Sequence, residues 1–263
     1  MRVVWAVMLL AIASAAQAAD ERDPLVRARS LYNQRKFEAA ITAADQARQV
    51  PGRTDSADLV AARALLERYR EQSEAGDLGH ARTRLGRIDP QRFGARERLE
   101  YIVGLGETLY FENSYGAAAN VFASVLSPTG LLVATERERV IDWWASALDR
   151  DAASRTALER RDVYERVRLR MTEELGLAPS SVAASYWLSI AARGEGDLQG
   201  AWDAAEAGWL RAPLSGELGT KLREDIERLV QDALVPERSR ALGQPPESLR
   251  EEWERFKERW GRE

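Results

Sequence analysis

The stretch from Ile102 to Gly130, IVGLGETLYFENSYGAAANVFASVLSPTG, decides the fold. Ile102, Leu105, Gly106 and Leu109 fall at i, i+3, i+4 and i+7, which is one face of an α-helix. Beyond Asn113-Ser114, the residues Tyr115, Ala118, Phe122 and Val125 form a second stripe of helical period. The passage predicts two helices joined by a tight turn. Pro128 closes the second, because proline has no N–H for the helix and its ring clashes with the preceding turn.

The same landmark, a turn followed by an aromatic residue or Leu and then a small residue, recurs along the chain. It occurs as RKFEAA (Arg35 to Ala40), GDLGHA (Gly76 to Ala81), NSYGAA (Asn113 to Ala118) and GDLQGA (Gly196 to Ala201). Ala40, Ala81, Ala118 and Ala201 are spaced 41, 37 and 83 residues apart, so the last gap holds two periods with one degraded unit. Pro51, Pro90, Pro128 and Pro213 follow those alanines by 11, 9, 10 and 12 residues, each marking the end of a helix.

These landmarks resemble the tetratricopeptide repeat. The stretch Ser185 to Pro213 matches through Leu188, Ser189, Leu198, Ala201, Ala205, Gly208 and Pro213. Stretches at Leu25 to Pro51 and Val60 to Pro90 keep the second-helix half better than the first, with Arg27 standing where the family prefers Leu. The resemblance implies an all-α chain, a right-handed α-solenoid of stacked antiparallel helical hairpins, with Gly106 and Ala118 small where paired helices approach. The repeat domain is expected over 19–235, with units near 24–51, 60–90, 99–130 and 182–213, a degenerate unit near 136–176 and a partial one near 216–235.

In the degenerate unit, Val140, Trp143, Trp144, Ala147 and Leu148 form one stripe and Tyr164, Val167, Met171 and Leu175 another. A longer polar connection is expected from Asp149 to Ala157. Adjacent helical residues point about 100° apart, so Trp143 and Trp144 do not both face fully inward. Leu218, Leu222, Ile226, Leu229, Val230 and Ala233 predict a further helix, followed by a break at Pro236 and a loop ending at Pro245-Pro246. Residues 236–263 carry the last helix, near Glu247 to Trp260, with Leu249, Trp253, Phe256 and Trp260 on one face, which either caps the repeats or docks a partner. No stretch alternates apolar and polar residues as a half-buried strand does.

At the N-terminus, Arg2 precedes an apolar run from Val3 to Ala13, and Ala16-Gln17-Ala18 supplies small residues at a cleavage position. That is the layout of a secretory signal peptide over residues 1–18, cleaved after Ala18, and it predicts a periplasmic or secreted protein. Removal of one Arg takes the formal charge from −4 to −5. A chain that grips phosphates usually carries a basic excess, so no nucleic acid is expected as partner. After removal of the leader no membrane span is expected, although association with the envelope is compatible with export.

With no Cys and a single His, no metal or other cofactor is expected, since zinc, copper and iron sites need several thiolates or imidazoles. Pairs such as Glu173-Glu174 and Glu251-Glu252 splay on a helix and do not converge on an ion. His80 begins a helix and reads as a solvated polar residue, and Gly194 to Gly200 lacks the strand and Lys-Ser or Lys-Thr pair of a phosphate loop. The family resemblance implies a concave surface lined by the first helix of each unit. On it fall Arg29, Tyr32 and Asn33, then Arg70, then Glu107, Tyr110 and Phe111, then Tyr186 and Arg193. The mixture of Arg, Tyr and Asn suits an extended protein or peptide ligand. The expected function is a non-catalytic scaffold, with a structural subunit of a cell-envelope assembly as the alternative and a carboxylate-based glycan hydrolase as a third reading.

Overall fold

The computed structural model describes residues 23–126 and 130–261, and every regular element among them is helical. The leader with its cleavage position after Ala18, and Pro128, lie outside the described residues. The contacts divide the chain into two compact units, one ending at Ser114 and one beginning at Tyr115.

The first unit comprises α1 (Pro24–Asn33), α2 (Phe37–Ala47), α3 (Thr54–Gln72), α4 (Asp77–Leu85), a 3-10 turn at Pro90–Arg92 and α5 (Ala95–Phe111). Helix α1 starts where Asp23 accepts the Leu25 N–H and Pro24 takes the first helical position, where its missing N–H costs nothing. Helix α3 begins at Thr54, ahead of the expected start near Val60, because Ala57, Ala61 and Ala64 extend its buried face toward the N-terminus. Each of the first four helices packs on its successor, α1 also touches α3, and α3 also touches α5. Alanines fill the junctions: Ala28, Ala40, Ala44, Ala47, Ala57, Ala61 and Ala64 are fully buried. Around α3, α4 and the following loop, Leu59, Leu66, Leu85 and Phe93 form a larger-grained cluster.

The second unit comprises α6 (Tyr115–Val125), α7 (Ala134–Ala152), α8 (Ala157–Leu177), α9 (Val182–Glu195) and α10 (Leu198–Arg211). A 3-10 turn at Ala212–Ser215 leads to α11 (Gly216–Leu229), α12 (Val235–Leu242) and α13 (Pro246–Trp260). Here α7 packs on α9 and α9 on α11, in addition to the neighbours in sequence. The polar connection expected over Asp149 to Ala157 is shorter: α7 runs to Ala152, and a capping box restarts the chain, with Glu159 accepting the Thr156 N–H at 2.9 Å. The break expected at Pro236 does not occur. A π turn at Val230–Leu234 lets the helix continue, and Pro236 falls in the first turn of α12, where no proline N–H is needed.

One turn geometry recurs. After α1, Arg35 donates to the Tyr32 carbonyl and Lys36 to that of Leu31; after α5, Asn113 donates to Tyr110 and Ser114 to Leu109; after α9, Gly196 donates to Arg193 and Asp197 to Ala192. The middle residue has positive φ each time, 59° at Arg35, 62° at Asn113 and 88° at Gly196. This is the left-handed helix end in which carbonyls of the last turn are satisfied by two following N–H groups.

One cluster of the second unit is built on aromatic residues. Trp202, Trp209 and Trp253 are buried with Ile226, Val230, Leu234 and Leu249. Trp253 meets Trp202 edge-on at 5.7 Å between ring centres and stacks on Phe256 at 5.5 Å. Trp260, expected on the same buried face, is 57% exposed. Helix α13 is about 22 Å long, and its last turn runs past the cluster. Of the adjacent pair on α7, Trp144 is buried, and Trp143 is half-buried and stacks on Phe122.

Candidate functional site

In the first unit, polar side chains of α1, α3 and α5 meet on one layered face. Arg29 of α1 donates to Glu97 of α5 at 2.6 Å, and Glu97 also accepts the Ser56 hydroxyl of α3 at 2.6 Å. Arg63 of α3 lies over the Tyr32 ring of α1, 4.5 Å from its centre, and pairs with Glu100 of α5 at 2.7 Å. Burial works against the Arg63 charge, but Tyr32, Glu100 and Glu107 outweigh it and hold its pKa above the ordinary arginine value. Further along α3, Arg70 donates to Glu67 and lies 3.6 Å from Glu71. For Arg70 too, burial opposes the charge and the surrounding carboxylates, Glu107 among them, prevail. The structure thus brings Arg29, Tyr32, Arg70 and Glu107 onto a shared face, and Asn33 is exposed at the end of α1.

Tyr110 and Phe111 are half-buried, and Phe111 meets Tyr69 edge-on at 5.1 Å while packing against the Leu59–Leu66–Leu85 cluster. Phe111 therefore serves the core as much as the surface. The residues that sequence reasoning passed over, Arg63, Glu97 and Glu100, are the ones that join the helices. Arg63 precedes Arg70, and Glu100 precedes Glu107, by two helical turns, so the face already recognised at Arg70 and Glu107 contained them.

The corresponding helices of the second unit, α7, α9 and α11, carry a different chemistry. Tyr186 and Trp187 of α9 meet edge-on at 5.1 Å. Trp187 donates to Asp142 of α7 at 2.9 Å, and Lys221 of α11 lies 3.9 Å from the same carboxylate. Arg228 pairs with Asp225 on α11. Burial, together with Asp225, Asp142 and Asp149, pushes the Tyr186 phenol well above its usual range. Tyr164 of α8 donates to Asp149 at 2.9 Å and lies against Gly194, where a Cβ would stand 2.2 Å from its ring. Burial, then Asp149, moves the Tyr164 pKa up to about 12. Arg193 faces Tyr164 and Asp149 as well, and donates to Glu237 of α12 at 2.7 Å.

Among the described residues, no group of three or more His, Asp or Glu is disposed to hold a metal ion, and no helix is long and apolar enough to cross a membrane. His80 is exposed. No family model matches the chain, and comparison with curated proteins and with solved structures finds no match either.

Proposed function

We propose that this protein is an exported helical-repeat scaffold that binds a protein or peptide segment along the faces of its alternate helices. The observation that carries the reading is the convergence of α1, α3 and α5 through Arg29, Tyr32, Arg63, Glu97 and Glu100, side chains separated by as many as 68 residues in sequence. A face built from three alternate helices offers a row of charged and aromatic groups rather than one closed pocket, which suits an extended ligand. The turn geometry repeated after α1, α5 and α9, at the recurring motifs, is compatible with the helical-repeat reading. The carboxylates of this face are held in ion pairs with arginines, as Glu97 is with Arg29 and Glu100 with Arg63, which favours recognition over carboxylate catalysis.

In this reading the leader directs the chain to the periplasm or exterior, and N-terminal sequencing of the mature protein should begin at Ala19. Helix α13 acts as a cap, since Leu249 and Trp253 close the Trp202–Trp209 cluster. The binding face is tested with photo-crosslinking side chains placed at Tyr32, Tyr110 and Tyr186, and at Thr42 and Leu169 as sites on other faces. One defined adduct from the first three positions alone is expected in cells. Equal labelling from Thr42 or Leu169 would sink the proposal.

A further inference from the structure

Trp202 of α10 touches two opposite charges. Its indole N–H donates to Glu206, one turn further along α10, at 3.1 Å, and the Arg238 guanidinium of α12 lies over its ring, 4.4 Å from the centre. The Trp253 ring of α13 meets Trp202 edge-on, so α13 rests on the indole that both charges touch. Arg238 is only 7% exposed. Its Nη2 donates to Gln199 at 2.7 Å, whereas its Nη1 is buried without a hydrogen-bond acceptor among the described residues, 3.7 Å from Glu252 of α13. The charged groups that face Glu206 are Asp203 of α10, Glu252 of α13 and Arg238 of α12. Three carboxylates therefore share one guanidinium where α13 closes over the chain. Among the described residues, the one ion pair that any of the three makes is the contact of Glu252 with Arg238.

We propose that α13 is a pH-sensitive clamp, seated more firmly over Trp202 as the medium turns acid and lifted more readily near neutrality. Docking of α13 covers the Trp202 indole and brings Glu252 toward Glu206. Both effects disfavour a charged Glu206, so a proton on Glu206 and a docked α13 support each other. The indole keeps its acceptor, because a protonated carboxyl retains an unprotonated oxygen. The Glu206 pKa agrees with this geometry: burial first, then Asp203 and Glu252, hold it above the ordinary 4.5, against the lowering effects of the Trp202 indole and Arg238. With the folded-state value raised, the contribution is complete below pH 4.5 and is lost as the pH climbs through the raised value. Release of α13 uncovers Trp202, Trp209 and Trp253 together, so the clamp sets how often this aromatic surface meets solvent. It uses no residue of the α1, α3 and α5 face and stands or falls separately from it.

Hydrogen exchange of the full chain, corrected for the intrinsic rate at each pH, reads the opening of α13. Glu206→Gln imitates the protonated side chain and keeps an acceptor for Trp202. At pH 7 the α13 amides of this variant should be protected about threefold better than those of the unsubstituted chain, and at pH 4.5 the two chains should converge. In the unsubstituted chain α13 protection should rise over the same interval. Equal or lower α13 protection in Glu206→Gln at pH 7, or a difference that persists at pH 4.5, would overturn the clamp. So would a gain spread equally over α1 to α4. If the variant folds poorly, the unsubstituted chain decides alone, and α13 protection that stays flat or falls from pH 7 to pH 4.5 sinks the proposal.

Discussion

In the first unit the helices meet over alanines, with Ala28, Ala44, Ala57 and Ala61 fully buried, whereas in the second the final four helices close over Trp202, Trp209 and Trp253. An alanine junction buries little area per residue but lets helix axes approach closely, so the first unit's stability is spread over many small contacts. A buried tryptophan concentrates area in one place and brings an indole N–H that must find an acceptor. The second unit supplies those acceptors: Asp142 for Trp187, Glu206 for Trp202, and Glu227 for both Trp209 and Trp253. Glu227 also accepts from Lys257 at 3.2 Å, so one side chain of α11 holds α10 and two positions of α13. Stability that is distributed in one unit and concentrated in the other predicts different responses to damage.

The largest effect should follow removal of α13 before Pro245. That truncation uncovers Trp202 and Trp209 and deletes Trp253 and Leu249 from the core, a loss above about 5 kcal/mol by the scale of large core deletions. Hydrogen exchange should show α10 and α11 losing protection while α1 to α4 keep theirs. Unchanged protection of α10 would show that the cluster is not what secures the second unit.

Next in size are two buried carboxylates, one in each unit, that arginines clamp. Glu174 is fully buried and accepts from Arg137 at 2.6 Å and from Arg170 at 2.8 Å, and both arginines also reach the Leu126 carbonyl. Glu174→Ala leaves two guanidinium groups without their carboxylate and should cost about 3–5 kcal/mol in chemical denaturation. Asp58 accepts from Arg84 at 2.8 Å and lies 3.3 Å from Arg48, but Arg84 also reaches the exposed Asp45 at 2.6 Å and Arg48 is itself partly exposed to solvent. Because that second partner remains, Asp58→Ala should cost less, about 1–3 kcal/mol. Equal losses would mean that Asp45 offers no compensation.

Glycine substitutions sharpen the comparison with opposite signs. At Gly219 in the first turn of α11, an added Cβ would stand 1.9 Å from the Ala212 carbonyl oxygen, so backbone must move. Gly219→Ala should lower stability by about 1–3 kcal/mol. At Gly104, inside α5, the same atom would make ordinary contact with Leu85 at 3.5 Å. Gly104→Ala should raise stability by about 0.5–1 kcal/mol, because alanine restricts the unfolded chain and favours the helix. Melting temperatures of the two variants should move in opposite directions.

The smallest effect is a pH dependence confined to the alkaline limb. The Tyr164 phenol is raised from an ordinary value near 10 to about 12, by burial first and Asp149 second. A raised pKa in the folded state means that the folded chain holds its proton more tightly. Its contribution is complete below pH 10 and is lost as the pH climbs toward 12. Tyr164→Phe should flatten that part of the stability profile, read by denaturation at stepped pH. An unchanged profile would assign the alkaline loss to other groups.

Helical period, turn position and the small residues at helix junctions are local properties, and they were legible in the sequence. The stripes at Ile102 to Leu109 and Val140 to Leu148 lie on helices, the turns at Arg35, Asn113 and Gly196 fall where the recurring motifs stand, and Ala40, Ala81, Ala118 and Ala201 are all buried. Each follows from the 3.6-residue repeat or from the conformational limits of a few neighbouring residues. What only the tertiary structure decided depends on partners distant in sequence. Arg29 meets Glu97 68 residues away, and Trp187 meets Asp142 45 residues away, and nothing in the neighbourhood of either residue encodes its partner. The same holds for Pro236, which stays within a helix because the preceding π turn places it where no N–H is required, and for Trp260, whose period matches Trp253 but whose position lies past the cluster. Periodicity tells which face of a helix is apolar, but what that face meets, and how far along the helix the contact extends, is set by the packing of the other helices.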